Sequence, residues 1–318
     1  MSDRERFEIF HERGGTGGFD TGVTLSGPFR SPAQMLADQE YDGHASVHDD
    51  ATADKLGLRG APIEGPTHFS QFDPLGHLMW GAEWFETGCI SAHFENMVIA
   101  GEQVQAFAVP EQGHPMARIH ALKEDGARVL SGSMSVFGTT ATTEIESRLA
   151  KAREKDAGDL FIVDQLEVGE TSAPRRVTMG ADEHNGHLYP FSLNDKLAVI
   201  TEPSRWYVSG GNPWGRPIIP TEMASVLAHK SGGVGTVRGP AVGLFLDLEV
   251  ARLGAPLFVD EEYEVVHTIA AVGQSRRVES WWTSSTISSV ATGEPVCNVV
   301  LHQGVFKESF AGYPADRL

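Results

Sequence analysis

The sequence is poor in cysteine, in positive charge and in long apolar runs, and each shortage excludes something. Only Cys89 and Cys297 occur in 318 residues, far apart and without metal-ligand spacing. That argues against a disulfide framework or a thiolate metal centre and suits two reduced, buried thiols in a cytosolic protein. Lysine and arginine number 25 against 43 aspartates and glutamates, for a net charge of −18. So acidic a surface repels phosphate backbones and anionic headgroups, so neither nucleic acid nor a membrane is an expected partner. No stretch approaches the ~20 apolar residues of a membrane span. The charged opening "MSDRERFEIFHERGG" has no apolar h-region, so no secretory leader and a cytoplasmic location are expected. "GGTGG" closes residues 1–18, read as a flexible arm.

What is present is a core-forming composition, 41% hydrophobic, and a weak internal repeat. "GAPIEGPTHFSQ" (Gly60–Gln71) resembles "GRPIIPTEMASV" (Gly215–Val226). Each starts Gly-x-Pro-Ile, reaches Pro-Thr and enters a helical pattern. Strand-like runs follow both, with clear alternation in "MARIHAL" and "YEVVHTI", as half-buried antiparallel strands require. Between the copies, "EIESRLAKAREKDAG" (Glu144–Gly158) reads as an exposed linker helix with Gly158 as its cap. The expected organisation is an α+β chain: arm 1–18, first half 19–138, linker 139–159, and second half with tail 160–318. The helix of the first half is expected over Pro66–Ala82 and that of the second over Thr221–Lys230. Pro74 and Gly76 make the first a poor helix by propensity, so packing must hold it.

Proton-handling groups gather at both ends of "HDDATADKLGLRGAPIEGPTH" (48–68). Asp50 suits the N-cap of the helix that follows. Glu64 is either a reacting group or a charge favoured at a helix N-terminus. His68 is either a ligand contact or a satisfied core histidine. Asp73 and His77, at i and i+4, are expected to pair with each other. His184 and His187 lack a third ligand, so no metal is expected.

The run "YDGHASVHDDATADKLGLRGAPIEGPT" resembles the hydratase motif of the MaoC-like, R-specific enoyl-CoA hydratases, and "FENMVIAGEQV" a second motif of that family. The resemblance implies a double hotdog: two antiparallel sheets, each wrapped around a central helix. Asp42 and His48 match the family's Asp and His, Asp50 the acidic residue after them, and Gly65 the glycine at the helix start. Two departures stand out. Five residues separate Asp42 from His48 where the family has four, which makes His44 a competing member. Glu64 replaces the family's His before that glycine.

The resemblance implies hydration or dehydration of an acyl thioester, with CoA as the expected carrier and no cofactor. His48 would take a proton from water and Asp42 would orient that water and handle the second proton. The Gly65 N–H, at a helix N-terminus, would face the thioester oxygen. Glu64 joins Asp42 and His48 as a candidate catalytic group; Gly65, His68, His44 and Arg59 are candidate substrate contacts. The second half shows no matching dyad, so it is expected to be degenerate and to shape an acyl pocket. Trp206 and Trp214 are candidate linings for it; ordinary packing fits Trp281 and Trp282 better. Three alternatives stay open: a thioesterase on the same fold, a lyase or cyclase using Glu64, and a non-catalytic acyl-binding protein. Assembly as a homodimer is also open.

Overall fold

The computed structural model describes residues 23–40, 46–137 and 142–318, together with the backbone of 8–10. Asp42 and His44 therefore lie outside the described residues, as does most of the 1–18 arm. The strands are β1 (Glu8–Phe10), β2 (Thr24–Ser26), β3 (Cys89–Phe94), β4 (Val104–Pro110), β5 (Met116–Lys123) and β6 (Arg128–Ser135). In the second half they are β7 (Arg175–Thr178), β8 (Gly243–Arg252), β9 (Glu262–Gln274), β10 (Val278–Ser289) and β11 (Pro295–Phe306). Helices are α1 (Asp50–Lys55), α2 (Asp73–Trp80), α3 (Glu83–Thr87), α4 (Glu144–Glu154), α5 (Leu193–Val199), α6 (Arg205–Val208) and α7 (Met223–Lys230).

All eleven strands form one antiparallel sheet in the order β1-β2-β4-β5-β6-β3-β8-β11-β10-β9-β7. Apart from β1, the order reads the same from either end: each half runs edge strand, three-strand meander, then the strand that follows its helix. The repeat seen in the sequence is thus a repeat of topology. The two sheets expected from the sequence are here a single one. Cys89–His93 of β3 pair with Asp247–Ala251 of β8, joining the halves. Pairing the two inner edges satisfies N–H and C=O groups that would otherwise be left open. The cysteines flank β8, Cys89 opposite Ala251 and Cys297 opposite Arg252. Two strand spacings, roughly 9–10 Å, put them beyond disulfide reach.

The helix expected over 66–82 is broken into a 3-10 segment, Gly65–Phe72, and α2. Pro74 has no N–H to continue an α-helical ladder through this point, and the chain restarts at Asp73. Packing compensates, since Phe69, Phe72 and Leu75 are fully buried in the main core. That core also holds Met223, Val226 and Leu227 of α7 and inward residues of strands from both halves. Gly76 is required here: a Cβ would lie 2.4 Å from the Trp84 indole. The linker helix α4 starts in a Thr143–Glu146 capping box and ends at Glu154, earlier than expected. Gly158 makes a separate later turn, with φ of 65°. Ile145 and Leu149 seat α4 on Ala270, Ala271 and Trp282. No helix among the described residues is long and apolar enough to cross a membrane.

Candidate active site

His48 stands just before α1, half-buried, with Nδ1 2.6 Å from the Pro62 carbonyl oxygen. A carbonyl only accepts, so Nδ1 carries the proton and Nε2 keeps its lone pair. Burial pushes the ring's pKa below the usual imidazole value, partly offset by the bond to Pro62, so the ring is neutral at pH 7. His48 lines a cleft of about 410 Å³ together with Gln34, Asp49, Asp50, Arg59 and Ile99.

Two neighbours differ from expectation. The cap of α1 is Asp49, whose carboxylate accepts the Thr52 N–H and hydroxyl, each at 2.8 Å. Asp49 has the extended backbone that a cap needs, whereas Asp50 already lies in the helix. Asp50 instead accepts the Ala61 N–H at 3.0 Å and ties the helix start to the Gly-Pro turn. Arg59 reaches the cleft but donates to Glu102 at 2.9 Å.

Glu64 belongs to a different set of contacts. It is buried, does not line the cleft, and accepts the Tyr189 hydroxyl of the second half at 2.9 Å. Burial pushes its pKa up to about 7, against the pull of Lys196 and the Tyr189 hydrogen bond; Glu222 adds to the rise. His68 is buried nearby. Desolvation and Lys196 push it down to about 4, and its Nδ1 has no hydrogen-bond partner among the described residues. Gly65 lies under Phe94, where a Cβ would meet the ring at 2.7 Å.

No family model matches the sequence, and no curated protein does. Solved structures do. One from Chloroflexus aurantiacus J-10-fl, described as a MaoC domain protein dehydratase, aligns over 90% of this chain and 95% of its own, with a TM-score of 0.55 at 14% identity. Another, from Mycobacterium tuberculosis, described as having a double hotdog fold, aligns over 95% of this chain and 96% of its own, with a TM-score of 0.51 at 12% identity. The chain has the double hotdog fold.

The duplication in a double hotdog explains a paired device at its two helix starts. In the first half, Thr67 accepts from Lys196 at 3.3 Å, and Lys196 lies 3.1 Å from Glu222 of the opposite helix start. In the second, Thr221 accepts from Arg252 at 2.6 Å and donates to Asp73 of the opposite helix start. Each threonine thus accepts from one buried cation, Lys196 of the other half at Thr67 and Arg252 of its own half at Thr221. The acid of the opposite helix start meets Thr221 directly in one copy and Lys196 in the other. The copies have diverged. Asp73 is saturated, accepting also the Trp84 indole N–H at 2.8 Å, the Tyr207 hydroxyl at 3.0 Å and the Thr221 N–H at 3.2 Å. Glu222 has its ion pair, but neither oxygen has a well-directed hydrogen bond among the described residues. Burial raises its pKa.

The double hotdog therefore brings His48 and Arg59 to one cleft and places Glu64 and His68 in the interior between the halves. Asp73, expected to pair with His77, is buried and its carboxylate accepts from Trp84, Tyr207 and Thr221, while the His77 ring packs 4.6 Å from Trp206. None of the four tryptophans lines the cleft. Trp206 and Trp214 meet edge to face, 5.7 Å apart, and Trp214 donates to Glu86 at 2.9 Å. Among the described residues no group of three or more His, Cys, Asp or Glu could hold a metal. Sequence reasoning missed Lys196 and Gln34. Lys196 did leave a signal, since it falls on the apolar face of "LNDKLAV" with Leu193 and Leu197 at helical spacing.

Proposed function

We propose that this double hotdog is a hydro-lyase that adds or removes water at an acyl thioester, with His48 as the general base. The observation that carries the reading is the His48 imidazole: Nδ1 is tied to a backbone carbonyl, and the ring is neutral on the wall of an open cleft. In the hydration direction Nε2 takes a proton from water as its oxygen adds to the β-carbon. A proton is delivered to the α-carbon, with Asp42 proposed to orient the water and handle that second proton. Gly65, at the start of the 3-10 segment, lies against Phe94 and does not line this cleft, so it receives no oxyanion role here. Arg59 is the proposed cationic contact at the cleft.

Glu64 receives no reacting role, because it is bonded to Tyr189 away from the cleft. That weighs against the thioesterase and Glu64-lyase alternatives. The motif resemblance around His48 supports the acyl thioester, and the fold is shared with a protein described as a dehydratase. The test is a panel of short enoyl-CoA substrates, following loss of the conjugated-thioester absorbance and release of free thiol in parallel. Absorbance loss without thiol release is expected. Thiol release alone, or no reaction with any thioester, would overturn the proposal.

A further inference from the structure

Gln34 precedes every residue in the motif resemblance, yet it lines the same cleft as His48. Its amide orientation is fixed by its own neighbours. Oε1 accepts the Met35 N–H at 2.9 Å and the Leu36 N–H at 2.8 Å, and Leu36 is itself buried. An oxygen facing two N–H groups leaves the NH₂ on the other side. That Nε2 donates to the Pro62 carbonyl oxygen at 2.5 Å. The same oxygen receives His48 Nδ1 at 2.6 Å. A carbonyl has two lone pairs, and here Gln34 and His48 take one each.

We infer that Gln34 is the positioning residue for His48, because it fixes the carbonyl oxygen that holds the imidazole Nδ1–H. The inference rests on the reading of His48 as the base.

The arrangement closes a loop. Gln34 stands 28 residues before Pro62, and His48 lies between them, 14 residues from Pro62. Pro62 is also fastened from its other side. It bridges to Ile99, and the Ile63 N–H donates to the Val98 carbonyl at 2.7 Å. With Gln34 in place, the Pro62 oxygen is held between a backbone anchor and a side-chain donor. The imidazole then has one carbonyl at one angle to bind, which selects the Nδ1–H tautomer and leaves Nε2 as the basic nitrogen. Without the Gln34 donor, the carbonyl is free to rotate toward water, and the ring is free to flip or change tautomer. Gln34 bonds no reacting atom; its effect passes through Pro62 to His48.

The test uses Gln34→Met, which keeps the length and loses both the donor and the acceptor of the Met35 and Leu36 N–H groups, and Gln34→Glu, which keeps the shape and that acceptor but turns the donor into an acceptor facing a carbonyl. Imidazole ¹⁵N spectra of the full chain at pH 7.5 read the His48 tautomer directly. In the wild type, His48 Nδ1 should appear as the protonated nitrogen and Nε2 as the bare one. Both variants should show an averaged pattern, and Gln34→Glu should depart at least as far as Gln34→Met. Hydration kcat should fall on the order of 10- to 100-fold, the range typical of groups that orient a reacting imidazole, with KM little changed. A purely steric role predicts a near-wild-type spectrum for Gln34→Glu, and that result would overturn the inference. So would an unaltered tautomer in Gln34→Met. Either variant alone decides if the other fails to fold. Should His48→Ala keep full activity, the catalytic reading falls, while the spectra still judge Gln34.

Discussion

Asp73 and Thr221 grip each other across the two halves: the Asp73 carboxylate accepts both the N–H and the hydroxyl of Thr221. The same carboxylate holds Trp84 and Tyr207, so one buried acid ties together α2, α3, α6 and the start of the second helix. Its counterpart Glu222 has the Lys196 ion pair but no comparable set of directed donors among the described residues. Asp73→Ala is therefore expected to cost on the order of 3–5 kcal/mol, because several buried donors lose their acceptor together. Glu222→Gln is expected to cost much less, since Lys196 keeps Glu64 as a counter-charge. Urea or thermal melts compare them; a larger loss for Glu222→Gln would show that the two clasps have been ranked in the wrong order.

Glu64 gives a pH signature of stability. Its folded pKa is raised, chiefly by burial, to about 7, above the ordinary 4.5. A carboxyl that holds its proton more tightly when folded stabilises the protein fully below the unfolded pKa. That contribution is lost as pH rises through the folded one. The thermal midpoint should therefore fall between pH 4.5 and about 7. Glu64→Gln should flatten this slope and melt higher than wild type at pH 8. Equal slopes in the two proteins would remove Glu64 as the source.

The proposed base predicts the shape of the rate profile. His48 must be neutral to accept a proton, and burial lowers its pKa from 6.5. The kcat/KM for hydration should rise with pH along a limb centred below 6.5 and be flat through neutrality on that side. A limb centred above 6.5 would contradict the assignment.

Gly65 should not tolerate a side chain. A Cβ there would meet the Phe94 ring at 2.7 Å, and that ring is already packed 6.1 Å from Phe69. Gly65→Ala is expected to destabilise by about 1–3 kcal/mol, as overpacking usually does. Adding Phe94→Leu should recover part of the loss. A neutral Gly65→Ala would show that the segment has room to shift.

The halves were legible in the sequence because each writes its own helix start and its own alternating strands. The join was not, since nothing in Cys89–Phe94 or Gly243–Arg252 announces that these strands pair with each other. Periodicity reports which face of a strand is buried, not which edge finds a partner. At the candidate site, His48 was singled out by the motif resemblance and Arg59 by its place beside a helix start, and the structure puts both on one cleft. Glu64 was legible as an unusual acid, but its direction was not. A side chain at a helix start can point to solvent, to a ligand or, as here, to a tyrosine from 125 positions along the chain. Gln34 gave no signal, because its role depends on a carbonyl and a carbonyl has no letter in the sequence.

The most direct test of the account is the hydration rate of His48→Ala on an enoyl thioester, measured beside its far-UV spectrum and melting midpoint. The general-base assignment predicts a kcat lower by about 10²–10⁴. The spectrum and midpoint should stay near wild type, since the ring is half-buried at a cleft rather than part of the core. Full hydratase activity in a folded His48→Ala protein would contradict it.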